Sequence, residues 1–114
     1  MVQTAIARKL EVLRHRGGIK SADLAELLST TPETVSRWNA GRSSPHRESE
    51  RKILELEYIV ECLREFYADP NDARLWLFSP QKLLDGKKPA DLIEEGKIEE
   101  VRAFIKDLGG VVYS

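Results

Sequence analysis

Apolar residues recur along this chain at helical spacing, not strand spacing. Val2, Ile6, Leu10 and Leu13 fall on one helical face, and Gly17-Gly18 stops the run. Ser21 stands before Leu24, Leu27 and Leu28, with Asp23 and Glu26 close behind it. The pattern predicts a second helix with Ser21 as N-cap and acidic residues at the positive end of its dipole. Ser29-Thr30-Thr31 breaks that helix. Thr31 as N-cap and Pro32 at the first helical position then predict a third helix through about Ala40, with Gly41 as its C′ residue. After the turn Arg42-Ser43-Ser44-Pro45, the longest stripe begins near Glu48. Ile53, Leu56, Ile59, Val60, Leu63, Phe66 and Tyr67 share one side, which predicts a long helix ending before Asp69-Pro70.

The rest of the chain is built of shorter pieces. Asp69-Pro70 predicts a cap for a helix through about Leu77. Ser79-Pro80 predicts one through Leu84, closed by Gly86. Pro89 opens a helix that Gly96 closes. Ile98, Val101, Ile105 and Leu108 make a last amphipathic helix, ended by Gly109-Gly110, and Val111-Val112-Tyr113-Ser114 is left as a short apolar tail. No alternating strand pair with a hairpin turn and no internal repeat is present. The expected fold class is therefore all-α. Trp76, Phe78, Leu83, Leu84 and Leu92 are expected in its core.

With 114 residues, the chain suffices for one compact domain or two very small ones. The formal net charge of -1 excludes both a globally polybasic nucleic-acid binder and an acidic solvating tail. That near-neutral total conceals two opposite halves. Residues 1–52 hold ten Lys/Arg against six Asp/Glu, and residues 53–114 hold eight against thirteen. The single cysteine, Cys62, cannot close an internal disulfide. Its neighbours Ile59, Val60 and Leu63 suggest a buried thiol, and no Cys/His cluster suggests zinc. Nothing resembles a secretory leader or the roughly 18 apolar residues of a membrane span, so a cytoplasmic location is expected.

Ser21–Gly41 has the layout of a helix-turn-helix, a unit that lays its second helix in the DNA major groove. Val35 and Trp38 would face inward. Glu33, Thr34, Ser36, Arg37 and Asn39 are then left to face outward or sideways, with Thr31 at the helix start. Arg and Asn can bond purine edges through two hydrogen bonds, and Thr and Ser can reach bases or phosphates. Arg42 and Arg47, just beyond, are candidates for phosphate contact, as is the turn residue His46, for which a plain solvated role is the competing reading. The segment Pro32-Glu33-Thr34-Val35-Ser36-Arg37-Trp38-Asn39-Ala40-Gly41, followed by Pro45, resembles the recognition segment of the Xre/Cro-like helix-turn-helix family. It departs from that pattern in two places. Ser21-Ala22-Asp23 stands where the family often has Gln, and Asn39 stands where Glu is usual.

No acid/base pair, nucleophile constellation or phosphate-cradling glycine loop is found. Both histidines, His15 and His46, lie in the first half, so an enzyme is not expected, and no cofactor. What stands out instead runs from Trp76-Leu77-Phe78-Ser79-Pro80 through Leu84-Asp85-Gly86-Lys87-Lys88-Pro89-Ala90-Asp91-Leu92 to Gly96, Val101, Ile105 and Gly110. This series resembles the toxin-binding C-terminal domain of the MbcA/ParS/Xre antitoxins, and most of all the MbcA branch.

The resemblance implies the antitoxin of a type II toxin–antitoxin module. Its partner would be a RES-domain toxin, encoded by a neighbouring gene, that consumes NAD or transfers its ADP-ribose. The antitoxin's C-terminal end would enter the toxin's NAD site, which assigns toxin binding to Gly110, Val111, Val112, Tyr113 and Ser114. The apolar tail and the acidic second half suit such a cleft. Operator DNA and a second copy of the chain are the other implied partners, since a repressor reading two half-sites works as a dimer. The expected organisation is a helix-turn-helix domain over residues 1–47, a connecting helix over 48–68 and a toxin-binding domain with its tail over 69–114. Two alternatives stay open. One is a stand-alone transcription regulator whose second half only dimerises. The other is an adaptor that binds proteins and not DNA.

Overall fold

A computed structural model describes the backbone of residues 4–113 and the side chains of residues 4–107. Seven α-helices are found among the described residues: α1 (Ala5–Gly17), α2 (Ser21–Leu27), α3 (Pro32–Asn39), α4 (Arg47–Leu63), α5 (Pro70–Leu77), α6 (Pro89–Glu94) and α7 (Ile98–Tyr113). A single 3-10 turn spans Lys82–Leu84. The all-α expectation holds.

Local signals account for most of the boundaries. The Thr31 hydroxyl accepts from the Thr34 N–H at 3.2 Å, and Pro32 supplies the first helical residue of α3. Asp69 caps α5 in the same way, accepting from the Asn71 N–H at 2.9 Å. Gly18 ends α1 in the left-handed conformation, φ 64°, with its N–H returning to Arg14 and Leu13 carbonyls.

Several expectations are corrected. Ser21 is not the N-cap of α2 but its first helical residue. Lys20 stands at the N-cap with no side-chain cap bond, and the Asp23 carboxylate reaches back to accept the Lys20 N–H at 3.1 Å. Helix α4 stops at Leu63, short of Phe66 and Tyr67. Glu65 and Phe66 donate three residues back, tightening the last turn, and both aromatic rings pack half-buried against the core. Ser79-Pro80 caps no helix, because only the three-residue turn forms there. That turn is pinned by Gln81, whose N–H donates to the Lys87 carbonyl at 3.0 Å and whose side-chain amide donates to the Trp76 carbonyl at 3.2 Å. Leu83 therefore points outward, 80% exposed, and Leu84 is only half-buried. Phe78 and Cys62 are half-buried too. Finally, α7 does not stop at Gly109-Gly110 but continues to Tyr113. Glycine costs a helix about 1 kcal/mol relative to alanine, a penalty that weakens a helix without forbidding it.

One apolar cluster runs through the whole molecule. It joins Leu10 and Leu13 of α1, Leu24 and Leu27 of α2, Val35 and Trp38 of α3, and Ile53, Leu56, Ile59, Val60 and Leu63 of α4. From the second half it takes Ala73, Trp76 and Leu77 of α5, Ala90, Leu92 and Ile93 of α6, and Ile98, Val101, Phe104 and Ile105 of α7. Helix α4 lies along both α1 and α7, α5 packs on α1, and α6 packs on α2. The Trp76 and Phe104 rings stack at 5.5 Å between centroids, closing α5 onto α7.

Candidate functional site

Helix α2, a polar turn and α3 follow one another in the layout the sequence indicates. Val35 and Trp38 are buried, which turns the opposite side of α3 to solvent. Thr31, Glu33, Ser36, Arg37, Asn39, Arg42 and Arg47 are all exposed, and Thr34 is half-buried. Thr31, Thr34 and Arg37 are brought together. Their side chains form a hydrogen-bonded row, 3.0 Å between the two hydroxyls and 3.3 Å from the guanidinium to Thr34. Glu33, Ser36 and Asn39 share the helix but not the row. Arg42 and Arg47 follow it, Arg42 being tied by its N–H to the Arg37 carbonyl at 2.9 Å. His46 is exposed at the N-cap position of α4, where its side chain makes no cap hydrogen bond.

The state of the arginines is informative. Arg14, Arg16, Arg51, Arg64, Arg74 and Arg102 are each held in an ion pair. Among the described residues, Arg8 on α1 and Arg37, Arg42 and Arg47 are held in none. Three of these four, Arg37, Arg42 and Arg47, follow one another on and just after α3, with no carboxylate neutralising them.

The helix-turn-helix is fastened to the second half by a pair that the sequence reading missed. Arg74 of α5 donates from Nε and a terminal nitrogen to both oxygens of Asp23 on α2, each at 2.9 Å. Partial burial pushes the Asp23 carboxyl up. The Arg74 hydrogen bonds, the Lys20 N–H and the guanidinium charge outweigh it and hold the carboxyl below its ordinary value. The other side of the Arg74 guanidinium lies 5.1 Å from the centre of the Phe78 ring. Beside this contact, Gly18 sits so close to α5 that a Cβ there would lie 2.8 Å from the Pro70 carbonyl oxygen.

In the second half, Trp76 and Leu92 are core, as expected, whereas Leu75 and Leu83 are exposed apolar side chains, at 64% and 80%. Leu83 is flanked by exposed Lys82, Lys87 and Lys88, a basic loop on an otherwise acidic half. Glu94, Glu95, Glu99 and Glu100 are exposed. The predicted contacts Gly110, Val111, Val112 and Tyr113 lie on the last part of α7, with side chains outside the described ones, and Ser114 lies outside the described residues. Among the described residues no group of His, Cys, Asp or Glu is placed to hold a metal ion. No helix there is long and apolar enough to cross a membrane.

Comparison with known proteins adds four findings. The model of the antitoxin Xre/MbcA/ParS C-terminal toxin-binding domain matches residues 62–108. The mycobacterial cidal antitoxin MbcA of Mycobacterium tuberculosis is 34% identical over 99 residues, 86% of each chain. Repressor protein CI of enterobacteria phage phi80 is 40% identical over 52 residues, 46% of this chain and 22% of the repressor. Among solved structures, a chain of the crystal structure of the M. tuberculosis MbcT-MbcA toxin–antitoxin complex superposes with a TM-score of 0.82 at 30% identity. The match covers 97% of this chain and 99% of that one. The chain belongs to the Xre/MbcA/ParS family of antitoxins, which are binding proteins and not enzymes.

Proposed function

We propose that this protein is the antitoxin of a type II module. Residues 69–114 would bind and block a RES-domain, NAD-consuming toxin of the MbcT type, while α2 and α3 read the operator of the same operon, two copies of the chain together. The likeness to an MbcT-MbcA complex chain along nearly the whole length carries the first part. The unpaired Arg37, Arg42 and Arg47 on and beside α3, with the similarity to a phage repressor, support the second. The exposed Leu75 and Leu83 give the half proposed to bind toxin apolar surface that a partner can cover.

The test is co-expression with the RES-domain protein of the neighbouring gene, followed by an NAD-consumption assay. The intact chain abolishes NAD loss. A chain lacking Val111–Ser114 keeps its fold and fails to do so. Full neutralisation by the truncated chain would rule out blocking by the tail. On the DNA side, Arg37→Ala weakens operator binding by about 1–3 kcal/mol. Unchanged affinity removes Arg37 from the interface.

A further inference from the structure

Helix α3 carries an acid on the face it turns outward. Val35 and Trp38 are buried, and at about 100° per residue Glu33 falls almost directly opposite their midpoint, with Ser36 and Arg37 about 50° to either side. All three are exposed. A glutamate in the first turn complements the helix dipole, and on a surface that meets only water that alone would explain it. On a surface that meets DNA it is costly, because a carboxylate repels the phosphate backbone and lowers affinity for duplexes of every sequence. A charge of the wrong sign at the centre of this face is accounted for if it meets a hydrogen-bond donor there and not a phosphate.

The neighbouring arginine is arranged to match. Glu33 and Arg37 stand at the spacing that lets two side chains pair along a helix. They do not pair. The Arg37 guanidinium donates to the Thr34 hydroxyl at 3.3 Å, and that hydroxyl lies 3.0 Å from the Thr31 hydroxyl. Glu33 is in no ion pair among the described residues. The row draws the guanidinium toward the N-terminal end of α3, the end that a recognition helix presents to base edges. A fork of N–H donors and an acceptor-only carboxylate thus stand side by side. In the major groove a G·C pair offers their complement, two adjacent acceptors at guanine N7 and O6 and a donor at the cytosine amino group. An A·T pair interposes a donor between its acceptors and cannot fill the fork.

We propose that Arg37 and Glu33 together read one G·C pair in each operator half-site, Arg37 donating to guanine N7 and O6 and Glu33 accepting from the cytosine amino group. Thr34 is a positioning residue that aims the Arg37 fork. Glu33 then sets specificity twice, by bonding the right pair and by weakening the hold on every other sequence. The inference deepens the operator reading given above and rests on it.

The test starts from a pool of random-sequence duplexes, enriched on the full chain both alone and co-expressed with the RES-domain protein of the neighbouring gene. Fluorescence anisotropy then compares the enriched duplex with its single-pair variants. One position is expected at which exchanging G·C for A·T weakens binding about tenfold or more. Arg37→Lys keeps the charge and loses the fork, so the salt dependence of binding stays and the preference at that position goes. Glu33→Ala loses part of the preference at the same position and binds the unenriched pool about threefold more tightly. Thr34→Val, with unchanged helical circular dichroism, lowers the preference about threefold. An unchanged preference in Thr34→Val overturns its positioning role. A preference that survives Arg37→Lys overturns the proposal, as does one that Glu33→Ala leaves intact or removes at a different position. Salt-dependent binding with no enriched sequence overturns the base reading and leaves DNA binding standing. No binding by either form overturns the operator reading as well.

Discussion

Replacing Arg74 by methionine keeps the apolar stem and removes only the guanidinium, so it isolates the fastening between α2 and α5. Two charge-assisted hydrogen bonds of 2.9 Å are lost, and Asp23 keeps only the 3.1 Å bond from the Lys20 N–H. For a buried bidentate pair the loss would be about 3 kcal/mol or more. Here the Asp23 side chain is 14% exposed and that of Arg74 36%, so solvent screens part of the interaction. About 1–2 kcal/mol is a reasonable figure, with up to about 0.5–1 kcal/mol more for the lost contact with the Phe78 ring. A total of about 2 kcal/mol corresponds to a fall in Tm of roughly 8 °C for a chain this long. Urea unfolding followed by circular dichroism measures it, and pH supplies the control. Asp23 is depressed in the fold, so its contribution is fully present above the unfolded carboxylate pKa and fades as pH falls through the lower folded value. The gap between wild type and variant must therefore be full near neutrality and shrink in acid. A gap below about 0.3 kcal/mol at neutral pH, or one that does not change in acid, would refute the ion-pair account.

Three further outcomes are expected. Gly18→Ala loses about 2–3 kcal/mol in urea unfolding, because φ is 64° and the new Cβ would meet the Pro70 carbonyl oxygen at 2.8 Å and the Arg74 Cβ at 3.3 Å. Thr31→Ala loses about 1 kcal/mol of stability as the cap of α3 goes. Operator titration should show a further effect, since Thr34 and Arg37 lose the anchor of their row. Leu83→Ala leaves stability within about 0.5 kcal/mol of wild type, yet weakens toxin capture, measured by calorimetry, by about 1 kcal/mol or more.

What could be read from the sequence divides by distance along the chain. Thr31, Pro32, Asp69 and Pro89 act on their immediate neighbours, and the helices they start were legible from those few residues. The outward set on α3 followed from Val35 and Trp38 alone. Where the reading failed, something outside the window decided. Leu83 looked like core because leucine usually is, yet its turn is three residues long, too short for a helical face, and Gln81 holds it open from behind. Leu63 ends α4 because Phe66 and Tyr67 find the core by turning back, which periodicity along one helix cannot show. Asp23 and Arg74 are 51 positions apart, and their pairing exists only because α5 packs on α1 beside the start of α2. In the sequence Asp23 had a sufficient local explanation, as an acid at a helix start, and that explanation concealed the second role.

The apolar cluster that crosses both halves bears on how the molecule comes apart. Helix α4 gives side chains to the packing of α1 on one side and of α7 on the other, so neither half keeps its interior if the other is lost. A chain of this size with one continuous interior unfolds as a unit. A protease or unfoldase that pulled either end loose would dissolve both proposed binding faces in the same event. Whatever the two faces hold would then be let go together, at one rate and from one barrier.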